Sequence, residues 1–185
     1  GGLEGRTLRA GDVLQIGAAS GSFRKRTVDS RALGEVWPHT IADRAAGEPV
    51  RLRVTDGEQS ASFSEPARRA FAASVFRVSE QANRMGIRLE GAPIAVPSGG
   101  GMVTEGVSLG AVQVPPGGLP IILFVEQQTT GGYPKIANVI AADLASLGQL
   151  RPRDAVRFER VQIAAARIAL FRQEQLLRSR KTIVE

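Results

Sequence analysis

The stretch Val50-Arg51-Leu52-Arg53-Val54 alternates apolar and basic side chains, and the turn signal Asp56-Gly57 follows it. A period of two is typical of a β-strand with one buried face, and Asp-Gly is a preferred hairpin turn. Further short apolar runs are separated by clusters of Gly, Pro or Ser: residues 75–78, 87–89, 111–114 and 120–125. Short strands at this spacing are typical of a barrel or a sandwich, so we predict a mainly β domain.

Other local signals add elements around these strands. Ser64 stands where it can cap a short helix over residues 66–73. Residues 136–150 indicate a strand that runs into a short helix, and residues 154–160 alternate again and predict a closing strand. Near the start of the chain, residues 12–16 predict one more strand.

The composition bounds the class of protein. The chain has 185 residues, 43% of them hydrophobic, which fits one globular domain or one and a part. It contains no cysteine, which excludes thiolate zinc sites, iron–sulfur clusters and cysteine nucleophiles. Its single histidine, His39, lies in a loop-like sequence and leaves no second imidazole for a two-histidine metal site. We therefore predict no metal.

The two ends of the chain carry different information. No apolar stretch approaches the roughly 20 residues of a membrane-spanning helix, so we predict no membrane partner. The chain begins without methionine or a leader, and we expect a cut N-terminus without a signal peptide. Residues 8–14 resemble residues 150–156, in each case a turn with an Asp leading into an apolar strand. We expect the first of these segments to be the last strand of a preceding barrel.

The positive charge is concentrated in the C-terminal segment. Residues 1–150 carry 15 basic and 14 acidic side chains, whereas residues 151–185 carry 9 basic and 4 acidic ones. In the latter segment apolar residues recur at helical spacing among arginines: Val161, Ala164, Ile168 and Phe171 alternate with Arg160, Arg167, Arg172, Arg178 and Arg180. This pattern predicts an amphipathic helix with a solvated basic face. Nucleic-acid binding is the less favoured interpretation, because no aromatic stacking partners are interleaved.

Two loops carry polar groups suited to binding an anion. Asn83 and Arg84 lie between two predicted strands, where an arginine offers a planar fork to a carboxylate, carbamate or phosphate. The loop after the most apolar strand offers hydroxyl and N–H groups, with a lysine, as an anion-binding nest. Its residues are Gln128, Thr129, Thr130, Gly131, Gly132, Tyr133 and Lys135. The structural alternatives are an ion pair of Arg84 with Glu80 or Glu90, and an ordinary hairpin loop.

Single polar residues on the strands are further candidates. Gln113 alternates with its apolar neighbours, so its amide can bind an amide substrate if that face is the barrel interior, and has no role if it faces solvent. The candidate general bases are Glu105, Glu126 and Glu90, although each is more commonly a surface or ion-paired carboxylate. Residues 98–101 are rich in glycine but lack the Lys and Ser or Thr of a phosphate-binding loop.

Several segments together resemble one bacterial family. They are residues 1–6 with 10–14, residues 83–86 with 88–91, residues 110–115 and residues 128–134, and they follow the order of that family up to about residue 159. The family is that of the 5-oxoprolinase C subunit, also called KipA or allophanate hydrolase subunit 2. It corresponds to the A and B subdomains of biotin-dependent carboxyltransferases, and the resemblance covers its C-terminal part.

The resemblance implies both an architecture and a function. It implies a cyclophilin-like β-barrel over residues 46–160, preceded in residues 1–45 by the end of another barrel and followed in residues 161–185 by a basic helix. It also implies a cytoplasmic subunit of an ATP-dependent hydrolase that opens 5-oxoproline to glutamate. The partner subunit would carry the C and D subdomains, as in the 5-oxoprolinase B subunit or KipI.

The resemblance leaves two alternatives open. One is a biotin-dependent carboxyltransferase acting on urea or another small amide, and the other is a non-catalytic KipA-like module that regulates a kinase inhibitor. ATP, acting through the complex, and biotin are cofactors implied by resemblance only. The chain departs from the family at Thr104, Glu126 and Arg153, where Ser, Asp and Gly are usual, and it lacks the N-terminal half. We therefore expect activity to require that half and the partner.

Overall fold

Seven strands form a closed barrel in the computed structural model, which describes residues 4–18, 27–28, 47–97, 102–178 and 183–184. The strands are β1 (Thr27–Val28), β2 (Val50–Asp56), β3 (Val75–Val78), β4 (Gly86–Glu90), β5 (Glu105–Gly106), β6 (Ala111–Gln113), β7 (Ile121–Leu123), β8 (Thr130–Gly131), β9 (Lys135–Val139), β10 (Ala155–Arg160) and β11 (Ile183–Val184). The helices are α1 (Glu65–Ala73), α2 (Leu144–Leu147) and α3 (Ile163–Arg178), with 3-10 turns at Ser60–Ser62 and Ala141–Asp143.

The barrel order is β10-β2-β9-β6-β7-β4-β3, and it closes where β3 meets β10. β10 and β2 run parallel, whereas the other barrel pairs are antiparallel. Two small ribbons, β5 with β8 and β1 with β11, are separate from the barrel. The prediction of a mainly β barrel is confirmed.

Aromatic side chains fill the barrel beneath α1. The rings of Phe71 on α1 and Phe158 on β10 stack with centroids 4.4 Å apart, and Phe76 on β3 lies against both. Ser64 caps the helix as predicted, because its hydroxyl accepts a hydrogen bond from the Ala67 N–H at 3.3 Å. The helix is therefore fixed over one part of the barrel by its cap and by Phe71.

The strand predicted over residues 12–16 is wrong. Residues 12–18 have no regular structure, and Ile16 is 91% exposed. A short apolar-rich strand needs a neighbouring strand and a core to bury it, and the described residues provide neither at this position. The turn before it does form, because Asp12 binds the Arg6 guanidinium at 2.7 and 2.9 Å and accepts from the Arg9 N–H.

The predicted C-terminal helix forms, but its apolar side is not covered. None of the residues of α3, all of which the structure describes, is buried, and Ile168 and Phe171 are exposed. The helix contacts the Ala141–Asp143 turn, where Gln173 Nε2 donates to the Ala142 carbonyl at 2.9 Å. The barrel thus runs from β2 to β10 with α3 after it, and the domain boundaries at 46–160 and 161–185 stay a prediction.

A buried ion pair fastens the Ala141–Asp143 turn to the barrel. The Asp143 side chain is 3% exposed, and its carboxylate accepts from the Arg53 guanidinium at 2.6 and 3.0 Å. It also accepts from the Arg53 backbone N–H at 2.8 Å. These bonds raise the pKa of Arg53 above its usual range, chiefly through the Asp143 hydrogen bond. The turn that supports α3 is therefore held on β2 by charge-assisted hydrogen bonds.

Candidate functional site

A lysine with a buried side chain begins β9. The Lys135 side chain is 1% exposed, and its ammonium donates to Oε1 of Glu105 on β5. Gln59 bridges the two residues. Its Nε2 donates to the same Glu105 oxygen at 2.6 Å, and its own side-chain oxygen accepts from the backbone N–H of Lys135 at 3.1 Å. A buried ammonium needs such a counter-charge, since burial penalises an unpaired charge heavily. We call these residues, with Gln113, the Lys135 cluster.

The carboxylate of Glu105 is the exposed member of this cluster. Its side chain is 42% exposed, and neither of its two hydrogen bonds uses Oε2. The hydrogen bond from Lys135, followed by that from Gln59, lowers the pKa of Glu105 below its usual value. A general base works best with a pKa near the working pH, so this carboxylate is better suited to accept a hydrogen bond than to take a proton.

Gln113 supplies a buried donor beside the same loop. It lies in β6, pairs with Lys135 across the sheet at an irregular register, and is buried. Its Nε2 has no hydrogen-bond acceptor among the described residues. A Cβ at Gly131 would lie 2.6 Å from this Nε2, so glycine is what lets the amide approach the backbone this closely. Gly131 in turn pairs with Glu105 in the β5–β8 ribbon, which links the amide to the carboxylate.

Gln59 is the member of the cluster that sequence reasoning missed. It follows the predicted Asp56-Gly57 turn, in which the Gly57 N–H donates to the Ile136 carbonyl at 3.1 Å. A Cβ at Gly57 would clash with the carbonyl oxygen of Lys135, so only glycine allows the loop this close to β9. The turn signal predicted the chain reversal, but nothing in the sequence indicated that β9 is the neighbour.

The loop predicted as an anion-binding nest lies over the cluster, in a different arrangement. Thr130 pairs with Gly106 in the ribbon, and the Thr129 carbonyl accepts from the Val107 N–H at 3.1 Å. Gly131 is buried, whereas Gln128, Thr129, Thr130 and Gly132 are exposed. Tyr133 is exposed as well. Lys135 does not add a free positive charge to this loop, because Glu105 neutralises it.

The loop of Asn83 and Arg84 lies elsewhere on the barrel. The Asn83 side-chain oxygen accepts from the Met85 N–H at 2.9 Å, and Arg84 pairs with exposed Glu126 at 2.8 Å rather than with Glu80 or Glu90. Arg84 precedes β4. The first residue of β4 pairs with the last residue of β7, whereas Gln113 pairs with the first residue of β7. Arg84, Asn83 and Glu126 therefore form no hydrogen bond or ion pair with the described residues of the Lys135 cluster.

The remaining candidates give no further site. His39 and residues 98–101 lie outside the described residues. Within the described part of the chain, no group of three or more His, Cys, Asp or Glu side chains is placed to hold a metal ion. Of the helices described, none has the length and apolarity to cross a membrane.

Comparison with known proteins gives a consistent result. The family model "Carboxyltransferase domain, subdomain A and B" matches residues 1–160. The chain belongs to this carboxyltransferase-domain family. Two relatives are each named as the C subunit of 5-oxoprolinase. The one from Haemophilus influenzae is 33% identical over 170 residues, and the one from Escherichia coli is 34% identical over 176 residues.

The chain corresponds to a part of each of these relatives. They cover 90% and 95% of this chain but 49% and 51% of the relatives, so the chain spans about half of their length. Among solved structures, urea amidolyase of K. lactis is similar with a TM-score of 0.60 and 26% identity, over 68% of this chain and 8% of that one. Urea carboxylase of Kluyveromyces lactis is similar with a TM-score of 0.61 and 26% identity, over 68% and 12%.

Proposed function

We propose that this chain is the barrel-bearing part of a 5-oxoprolinase-type subunit that binds the lactam of 5-oxoproline at the Lys135 cluster. The observation that carries the proposal is the buried Gln113 Nε2, which has no acceptor among the described residues and lies close against the Gly131 backbone. The names of the Haemophilus influenzae and Escherichia coli relatives support the choice of substrate. ATP-dependent opening to glutamate would require the half of those relatives that this chain does not span, and a partner subunit that carries the C and D subdomains.

The cluster offers the two hydrogen-bonding groups that an amide needs. A lactam carbonyl accepts one hydrogen bond and its N–H donates one. Gln113 Nε2 is the donor for the carbonyl, and Glu105, held ionised by Lys135, is the acceptor for the N–H. Lys135 acts as a positioning residue, because its ammonium is already paired and buried. Polarisation of the carbonyl by Gln113 would prepare the amide for ring opening.

The cofactors implied by the family fit this site unequally. Triphosphate binding requires free positive charge or a nest of N–H groups, whereas the Lys135 ammonium is neutralised by Glu105. The Lys135 cluster therefore does not suit ATP. The ureido ring of biotin presents a carbonyl and an N–H, as a lactam does, and Gln113 and Glu105 suit it equally. Biotin would supply a carboxyl group for transfer.

A biotin-dependent carboxyltransferase acting on urea or another small amide is therefore the second candidate, favoured by the similarity to urea amidolyase. A non-catalytic KipA-like module is the third candidate. A cytoplasmic location stays a prediction.

The test uses the complete protein with its partner subunits, ATP and 5-oxoproline, with glutamate formation as the measurement. Gln113→Leu removes the amide donor at similar volume and is expected to lower kcat/KM at least about tenfold, the value of one hydrogen bond. Gln81→Leu, at an exposed turn, is the matched control and should leave kcat/KM unchanged. Glutamate formation that is normal in Gln113→Leu would refute the site.

The alternative functions give distinct outcomes in the same experiment. Absence of glutamate formation by the unaltered complex would refute the 5-oxoprolinase function. Biotin-dependent carboxylation of urea would then support the second candidate. Stable binding of the partner with neither turnover would support the non-catalytic module.

A further inference from the structure

A cavity lies beneath α1, apart from the Lys135 cluster. Its volume is about 130 Å³, and it opens between α1 and strands β2, β9 and β10. Apolar side chains form its floor: Val54, Phe71, Ile136 and Phe158. An apolar cavity of about 150 Å³ holds one benzene molecule in another protein, so a single small ring or a branched chain fits this space. The floor therefore sets both the size and the apolar character of a ligand.

The rim of this cavity carries a positive balance. Glu65 pairs with Arg68 at 2.7 Å and with Arg69 at 3.3 Å, and Arg160 pairs with Asp56. These five side chains all line the cavity, so three guanidinium groups face two carboxylates. One positive charge remains for a ligand. An anion with a single charge would balance the rim, whereas a cation would add to the excess.

One N–H donor of Arg68 indicates that the cavity binds a ligand with an acceptor group. Its Nη2 binds Glu65 and its Nη1 donates to the Ser60 carbonyl at 3.4 Å. Its Nε is buried and has no hydrogen-bond acceptor among the described residues. A buried donor without an acceptor is destabilising, and the penalty is relieved when an acceptor enters. A carboxylate is the strongest acceptor for a guanidinium N–H.

We propose that this cavity binds a small monocarboxylate with an apolar body of about the size of a benzene ring. The apolar body lies on Phe71 and Phe158, and the carboxylate accepts from Arg68 Nε at the rim. This site is distinct from the proposed lactam site. Adjacent residues of one loop separate them, because Gln59 faces Lys135 and Glu105 whereas Ser60 lines the cavity.

The test compares two probes of matched shape and opposite charge. Benzoate and benzamidine are titrated into the isotope-labelled protein, and binding is followed by NMR chemical shifts. We expect benzoate to bind with shifts centred on α1 and β10, and benzamidine to bind at least about tenfold more weakly. Equal affinity of the two probes would overturn the proposal. So would the absence of benzoate-dependent shifts at a benzoate concentration of about 10 mM, because binding that weak would not be specific.

Two variants locate the binding. Arg68→Gln removes the guanidinium and is expected to weaken benzoate binding by about tenfold to a hundredfold, the range for a hydrogen bond to a charged group. Arg77→Gln, an exposed arginine on β3, is the control and should bind benzoate as the unaltered protein does. Ala72→Phe fills the cavity from an exposed helix position and should abolish binding without unfolding. Unchanged affinity in either cavity variant contradicts the proposed site.

Discussion

Replacement of Gly131 by alanine tests the contact on which the Lys135 cluster depends. The φ of Gly131 is not in the left-handed region, so alanine brings no backbone strain and its effect is steric. The new Cβ would lie 2.6 Å from Gln113 Nε2, whereas 3.4 Å is the lower end of ordinary contact. The amide must therefore move by about 0.8 Å, the difference between these distances.

The expected loss of stability in Gly131→Ala follows from the burial of Gln113. Overpacking of a filled interior costs about 1–3 kcal/mol, and we take the lower end because the obstructing atom ends a side chain. For a chain of 185 residues, about 1 kcal/mol lowers Tm by about 2–4 °C. Thermal unfolding followed by circular dichroism measures this shift. In the complete enzyme, the displaced amide should also lower kcat/KM for 5-oxoproline, if the proposed function holds.

The neighbouring glycine provides the control. A Cβ at Gly132 would lie 3.6 Å from its nearest neighbours, the Met102 carbonyl and the Thr104 hydroxyl, so Gly132→Ala should leave Tm unchanged. When Gln113 is first changed to alanine, the added methyl group at Gly131 enters space already vacated. Gly131→Ala should then cost much less, because the remaining tight contact is with Val107 Cγ1 at 3.2 Å. An equal loss of Tm in both backgrounds would show that the clash with Gln113 is not the cause.

Three further predictions concern stability. Asp143→Ala should lower the free energy of unfolding by about 3 kcal/mol in urea titrations, because it leaves the Arg53 guanidinium, 23% exposed, without its buried partner. At pH 7 the unaltered protein should have a higher Tm than Glu105→Gln, and this difference should shrink as pH falls below about 4. The reason is that Glu105, whose pKa is lowered, stabilises the fold through its ion pair with Lys135 only while its carboxylate is ionised. Ser64→Ala should cost about 1 kcal/mol, measured by urea titration, since it removes the helix cap.

Local patterns were sufficient to predict most of the barrel strands. The alternation at residues 50–54 became β2, the run at residues 154–160 became β10, and the cap at Ser64 formed where expected. Each of these signals is contained in a few neighbouring residues. Where no partner strand is described, as at residues 12–16, a strand-like sequence gave no strand. Whether such a segment forms a strand therefore depends on the surface available to cover its apolar face.

The candidate site was predicted only in part, because it depends on which strands are neighbours. The sequence placed Gln113, Glu105 and the 128–135 loop among the candidates, and the structure gathers them around Gly131. It gave no indication that Lys135 is buried or that Gln59 reaches it. Those facts follow from the β2–β9 and β6–β9 pairings, which local periodicity does not encode.

The parallel pairing of β2 with β10 has a consequence for biosynthesis. Val50 is aligned with Val156 and Val54 with Arg160, so the barrel joins segments made more than a hundred residues apart. Until β10 has left the ribosome, β2 and β3 each present an unprotected edge, the kind that other chains can pair with. Closure thus has to wait for the synthesis of β10. A nascent chain stalled before residue 155 should be a preferred client of chaperones.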